Sequence, residues 1–137
     1  MEINFVALLL ASLSTLVVGF IWYHPNVFGT IWMKESGMTE DKMKRSNMIL
    51  MFGMSILYAF LISFVLQMLV IHQFGAMGMI GGDPSKALPS YSAFMTDYGT
   101  SFRTFKHGAL HGVIAGIFLA LPIIGMGAIY EKRGAKY

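Results

Sequence analysis

The sequence contains no cysteine, so disulfides, thiolate metal sites and cysteine nucleophiles are excluded together. Charge is also scarce: 12% of the 137 residues are Asp, Glu, Lys or Arg, against roughly 25% in an ordinary soluble domain. The charge present avoids three long apolar runs and gathers between them. The excess of 10 basic over 7 acidic residues therefore reads as loop charge facing anionic headgroups, not as a nucleic-acid surface. No basic face with interleaved aromatics and no zinc-finger spacing is present, so nucleic acid is not an expected partner. A nucleophile elbow, a phosphate loop and paired carboxylates within an apolar helix are missing too. Their absence removes the usual catalytic templates and inclines the reading away from an enzyme.

What remains is 55% apolar, a membrane composition, and the chain is too short for two ordinary soluble domains. Residues 1–137 are read as a single membrane domain. Three runs are long enough to cross a bilayer, at about residues 3–23, 47–73 and 107–130. The fold class expected is an all-α integral membrane protein with three transmembrane helices. No Lys or Arg precedes the first run and no small-residue cleavage site follows it, so it is expected to be a retained helix and not a removed signal peptide.

Asn4, Ser12, Ser14 and Thr15 are the polar members of the first helix and are expected to serve packing. Trp22 and Tyr23 anchor it at the interface, and Pro25 ends it. A short interfacial helix is expected over 26–36, with Asn26 as its cap, Gly37 as its stop and Phe28, Ile31 and Trp32 on one apolar face. Thr39 offers a second cap, with Glu40 and Asp41 in the first turn where negative charge suits the helix dipole. From there one long helix is expected, its first turns carrying Lys42, Lys44 and Arg45 in water and Met48 to Ile71 in the membrane. Tyr58 and Gln67 are its polar members, and His72 marks its far end.

Residues 74–89 carry four glycines and two prolines and read as a loop with a turn at Asp83-Pro84. The aromatic spacing over 91–106 predicts a pre-helix running into the third span. Pro122 is expected to kink that span against the Phe118 carbonyl, and Glu131-Lys132-Arg133 to stop it.

With the first loop and the C-terminus on one side, that side holds Lys34, Lys42, Lys44, Arg45, Lys132, Arg133 and Lys136. The other holds only Lys86, Arg103 and Lys106. The asymmetry predicts a bacterial cytoplasmic-membrane protein with its N-terminus out and its C-terminus in.

Chemistry concentrates at the start of the third span. His107 and His111 are one helical turn apart, the spacing by which a helix offers two imidazoles to one metal, and His72 can add a third nitrogen from the neighbouring helix. Asp97 or Asp83 is the candidate to add a carboxylate, whereas His24 falls at the opposite end of the bundle. The plainer alternative is that these histidines simply hydrogen-bond at an interface. Beside them Gly108, Gly112, Gly116 and Ala120 form a small-residue line that lets another helix approach closely. The twelve methionines, including Met48, Met51 and Met54, read as core or lipid-facing hydrophobes before copper ligands.

The stretch from Trp22-Tyr23-His24-Pro25 through Phe28-Gly29-Thr30-Ile31-Trp32 to Gly37-Met38-Thr39 resembles the signature of domain of unknown function 1761, a family of small bacterial integral membrane proteins. The helix from His107-Gly108 to Gly116, with Pro122 and Glu131-Lys132-Arg133 after it, resembles that family's later helix. The resemblance implies a helical membrane fold and no established activity. Family members typically continue past the charged segment into a fourth membrane helix, whereas this sequence stops at Tyr137, as a short member or a truncated sequence would.

Two functions follow as expectations. The first is a non-enzymatic membrane subunit that self-associates or joins a larger membrane complex through the glycine line, with the lipid bilayer as its surroundings. The alternative is a small transporter or channel-like protein for a metal ion or small solute, using His72, His107 and His111. No cofactor is indicated beyond that possible metal.

Overall fold

The computed structural model describes residues 3–134. Helix α1 (Phe5–Trp22) starts at Asn4, whose side-chain oxygen accepts the Ala7 N–H at 2.9 Å. It stops before Pro25 because His24 takes the extended conformation that a following proline favours, with ψ 137°. Pro25 then opens a π-helical turn, Pro25–Gly29, that runs into α2 (Thr30–Ser36). The cap is not Asn26: His24 Nδ1 accepts the Asn26 N–H at 3.2 Å. Pro25, which has no N–H to satisfy, takes a first-turn position ahead of the expected start.

Gly29 is the tightest point of this turn. A Cβ there would lie 2.8 Å from the Tyr23 carbonyl carbon and 2.9 Å from that of His24, and would run into the Tyr23 oxygen. Only glycine lets the turn close on the end of α1. Around it the Trp22 and Phe28 ring centroids are 4.3 Å apart and those of Tyr23 and Trp32 4.9 Å, so the three expected interface anchors form one aromatic knot. Gly37 ends α2 in the left-handed conformation, with φ 66°.

The expected long helix is two helices, α3 (Glu40–Arg45) and α4 (Met48–Val70). Thr39 caps the first as anticipated. The second has its own cap: Ser46 turns extended and the Asn47 side chain accepts the Leu50 N–H at 3.0 Å. Side chains that bond nearby backbone groups compete with helix continuation, and here they win where the chain leaves its charged segment.

The glycine-rich stretch is not all loop. It begins with α5 (Gln73–Met79), followed by a 3₁₀ turn at Pro84–Lys86 and by α6 (Pro89–Tyr98). The aromatic pre-helix is thus present as α6, but it stops at Tyr98 and does not run into the third span. Phe102 adopts φ 63°, and Thr104 caps α7 (Phe105–Ala115) afresh. A π turn, Gly116–Ala120, joins α7 to α8 (Leu121–Tyr130). The Leu121 N–H reaches back to the Gly116 carbonyl, five residues away. This wider turn opens the ladder just before Pro122, which has no N–H to contribute and whose ring would otherwise meet the Phe118 carbonyl.

Phe5–Trp22, Met48–Val70 and Phe105–Tyr130 are each long and apolar enough to cross a membrane. At 1.5 Å per residue they extend about 27, 35 and 39 Å, against a hydrocarbon core of roughly 30 Å. The all-α, three-span architecture expected from sequence is therefore the one observed, and the chain is a multi-pass membrane protein.

The first two spans pack antiparallel. Leu8 and Ser12 on α1 and Ala59 on α4 are buried there, and the Ser12 hydroxyl donates to the Leu8 carbonyl at 2.7 Å. Such small or self-satisfied residues let helices approach in a solvent that offers no hydrophobic drive between them. The third span touches the end of α4 through α7, and none of its most apolar stretch is buried. Its far end returns to the first loop, where Arg133 Nη1 donates to the Ser36 carbonyl at 3.2 Å. One end of the molecule thus carries the aromatic knot, α2, α3 and residues 131–134. The other carries the start of α1, the end of α4, α5, α6 and the start of α7.

Candidate metal centre

The histidine end is assembled by two short-range devices and one long-range brace. First, α4 closes with the Ile71 N–H on the Gln67 carbonyl at 3.0 Å; Ile71 then turns extended, so His72 stands at the corner between α4 and α5. Second, the Thr104 hydroxyl accepts the His107 N–H at 3.2 Å, which fixes His107 in the first turn of α7 and His111 one turn on. Third, the buried Gln73 side chain donates from Nε2 to the carbonyls of Tyr98 at 2.8 Å and Ser101 at 2.9 Å. That amide ties the end of α6 and the following turn to α5, and so sets where α7 begins relative to α4.

The result is a cluster of His72, His107 and His111, with one ring nitrogen from each lying within 4.8 Å of the others. His72 Nε2 and His107 Nε2 are 3.1 Å apart. Ring centroids are separated by 5.0 Å for His72 and His107, 5.1 Å for His72 and His111, and 4.5 Å for His107 and His111. Phe102 completes the setting, its ring 5.1 Å from His107 and 6.2 Å from His72. The left-handed backbone of Phe102 is unusual for a bulky side chain.

Three nitrogens around one tetrahedral ion at 2.0–2.1 Å would stand about 3.3 Å from one another. The His72–His107 pair is already near that spacing, and the remaining gap is within reach of side-chain rotation. At this distance a ring carrying its proton on Nε2 donates to the other, the direction depending on the tautomer. Binding a metal needs an Nε2 lone pair on both, so both rings would then carry their protons on Nδ1. His72 is exposed and the other two are half-buried, leaving an approach from the end of the bundle.

The three histidines singled out in the sequence thus meet, across 35 residues in the case of His72 and His107. His24 is at the other end, capping the π turn. Among the described residues no carboxylate joins the group. Asp83 is engaged elsewhere, accepting the Ser85 hydroxyl at 2.6 Å and pairing with Lys86 at 3.2 Å. The glycine line is bare: a Cβ at Gly108, Gly112 or Gly116 would meet nothing within 4 Å. A π turn runs from Gly116 to Ala120, the last two members of the line.

Two contributors escaped the sequence reading. Gln73 bonds backbone carbonyls, which leave no mark in side-chain spacing; its one signal is a polar amide directly after His72 and the apolar run. The left-handed turn at Phe102 has no signal, because glycine or asparagine would be the residues expected there.

No curated protein and no solved structure matches the chain. The family model described as "Protein of unknown function (DUF1761)" matches residues 6–137, and with nearly the whole chain covered and three membrane-length helices in place, the protein belongs to that family.

Proposed function

We propose that this protein binds a divalent transition-metal ion at one membrane face through His72, His107 and His111, and acts as a small metal-handling membrane protein of the transporter or channel-like kind. The observation that carries this reading is the convergence of three imidazole nitrogens within 4.8 Å. Imidazole suits zinc, copper(II) and nickel(II), and ionisable or metal-ligating groups at membrane depth are functional candidates by default. Titrating zinc into the detergent-purified protein tests it. One zinc per chain is expected, with at least a hundredfold weaker binding in His72→Ala and His111→Ala. Wild-type binding in both variants, or no saturable binding at all, would overturn the proposal.

A second reading, compatible with the first, is favoured by the bare glycine face. The third span associates with a second copy or with another membrane subunit along Gly108, Gly112 and Gly116. Its test is the mass of the detergent complex: Gly112→Leu is expected to shift an oligomer toward monomer, and an unchanged mass and melting temperature would remove the packing role.

The proposed orientation sets the histidines outside. Arg133 and Ser36 bring the C-terminal and first-loop charges together, with Lys34, Lys42, Lys44, Arg45, Lys132 and Arg133 at one end and Lys86, Arg103 and Lys106 at the other. The positive-inside tendency then puts the N-terminus out and the C-terminus in, across a bacterial cytoplasmic membrane. Because the chain has no native cysteine, labelling of Ser85→Cys by a membrane-impermeant maleimide in intact cells checks this directly; protection of that site would reverse the orientation.

A further inference from the structure

A cavity of about 240 Å³ adjoins the histidine cluster, lined by His72, Gln73, Phe94, Tyr98, Ser101 and Phe102. Two of these residues flank the proposed metal position: His72 as a ligand, and Phe102 through its ring contacts with His72 and His107. The cavity therefore adjoins the site on its His72 and Phe102 side.

The donor set defines what belongs there. Three protein ligands leave a four-coordinate ion one position short, which is the pattern of sites that exchange a ligand, whereas closed structural sites supply all four. The three imidazoles bind as neutral groups, and among the described residues no carboxylate is in the cluster. A bound divalent ion would therefore keep its full double charge. An anionic fourth ligand is attracted to that charge directly and lowers it.

We infer that the fourth coordination position faces this cavity and is taken by an exchangeable small anion, hydroxide or a compact carboxylate-sized ligand, so that the site is open and not structural. The inference rests on the metal reading proposed above. The exchange is a simple ligand substitution, in which the incoming anion donates a lone pair to the ion as bound water leaves, and no bond to the protein breaks.

Cobalt(II) and azide provide the test. Cobalt-loaded protein is titrated with azide while its visible ligand-field bands are followed, for the wild type, for Ser101→Leu and for Phe94→Trp, both of which reduce the cavity without removing a ligand. Saturable spectral change at one azide per cobalt is expected, with affinity at least tenfold weaker in the two variants while cobalt stays bound. If cobalt binds and azide leaves the spectrum unchanged, the site is closed and the inference is overturned while the metal reading survives. Azide affinity equal in all three proteins would place the exchangeable position away from the cavity and overturn the assignment. Failure of cobalt to bind the wild type would instead overturn the metal reading, and this inference with it.

Discussion

Replacing Gln73 probes how the histidine site is built, because this side chain touches no histidine nitrogen yet fixes the turn that delivers two of them. Gln73→Leu removes two neutral hydrogen bonds, to the Tyr98 and Ser101 carbonyls. At a net worth of about 1 kcal/mol each, their loss costs about 2 kcal/mol. Two effects reduce it. The Tyr98 carbonyl keeps the Ser101 N–H at 3.0 Å, and the amide's own Oε1, buried without a donor, disappears with the side chain. A net loss of about 1 kcal/mol follows, and a correspondingly smaller share of molecules in the metal-competent arrangement weakens zinc binding by up to about fivefold. Gln73→Glu keeps the shape but sets a carboxyl against two carbonyl oxygens. That carboxyl holds its proton, so its folded pKa lies above its unfolded one. Its stability is then fully present below the unfolded pKa and is lost as pH rises through the raised folded value. Thermal melting in detergent and zinc titration at pH 5.5 and about pH 8, a span chosen to bracket a raised carboxyl, read both effects. Wild-type melting and zinc affinity in both variants would refute the brace. A lowered melting temperature with unchanged zinc affinity would refute its role in aligning the histidines.

Gly29→Ala should destabilise the aromatic knot by about 1–3 kcal/mol, the usual cost of overpacking, since the new methyl has only backbone to displace; a melting temperature equal to wild type would show that the turn can open freely. The Asp83 carboxyl is held below its ordinary value of 3.8, first by the Ser85 side-chain hydrogen bond and then by Lys86. Its folded pKa being depressed, the turn over Asp83 to Lys86 is favoured above the unfolded pKa and loses that support as pH falls through the folded one. NMR titration should find Asp83 below the normal aspartate range, and Ser85→Ala should move it back up; an unmoved midpoint would contradict the assigned cause.

The spans were legible in the sequence because a 20-residue apolar run has few structural meanings. The spacing of His107 and His111 was legible for a similar reason, since helical periodicity puts residues four apart on one face. That His72 would join them followed from topology, as the antiparallel second span ends where the third begins. Less visible were the joints. Ser46 and Asn47 divided a helix that had no proline or glycine to mark the break, because side-chain capping is a local competition that periodicity does not register. The π turn at Gly116–Ala120 was anticipated only as a kink at Pro122. The assembled site depends most on what was least legible, a glutamine bonding to carbonyls 25 and 28 residues away.

The most direct measurement of the central claim is zinc K-edge X-ray absorption on the zinc-loaded wild-type protein and on His111→Ala. Three imidazole nitrogens at about 2.0–2.1 Å, with one exogenous oxygen or nitrogen ligand, are expected in the wild type, falling to two imidazoles or to no bound zinc in the variant. A wild-type shell dominated by carboxylate or water oxygens, or a spectrum indifferent to the loss of His111, would contradict a metal centre built from His72, His107 and His111.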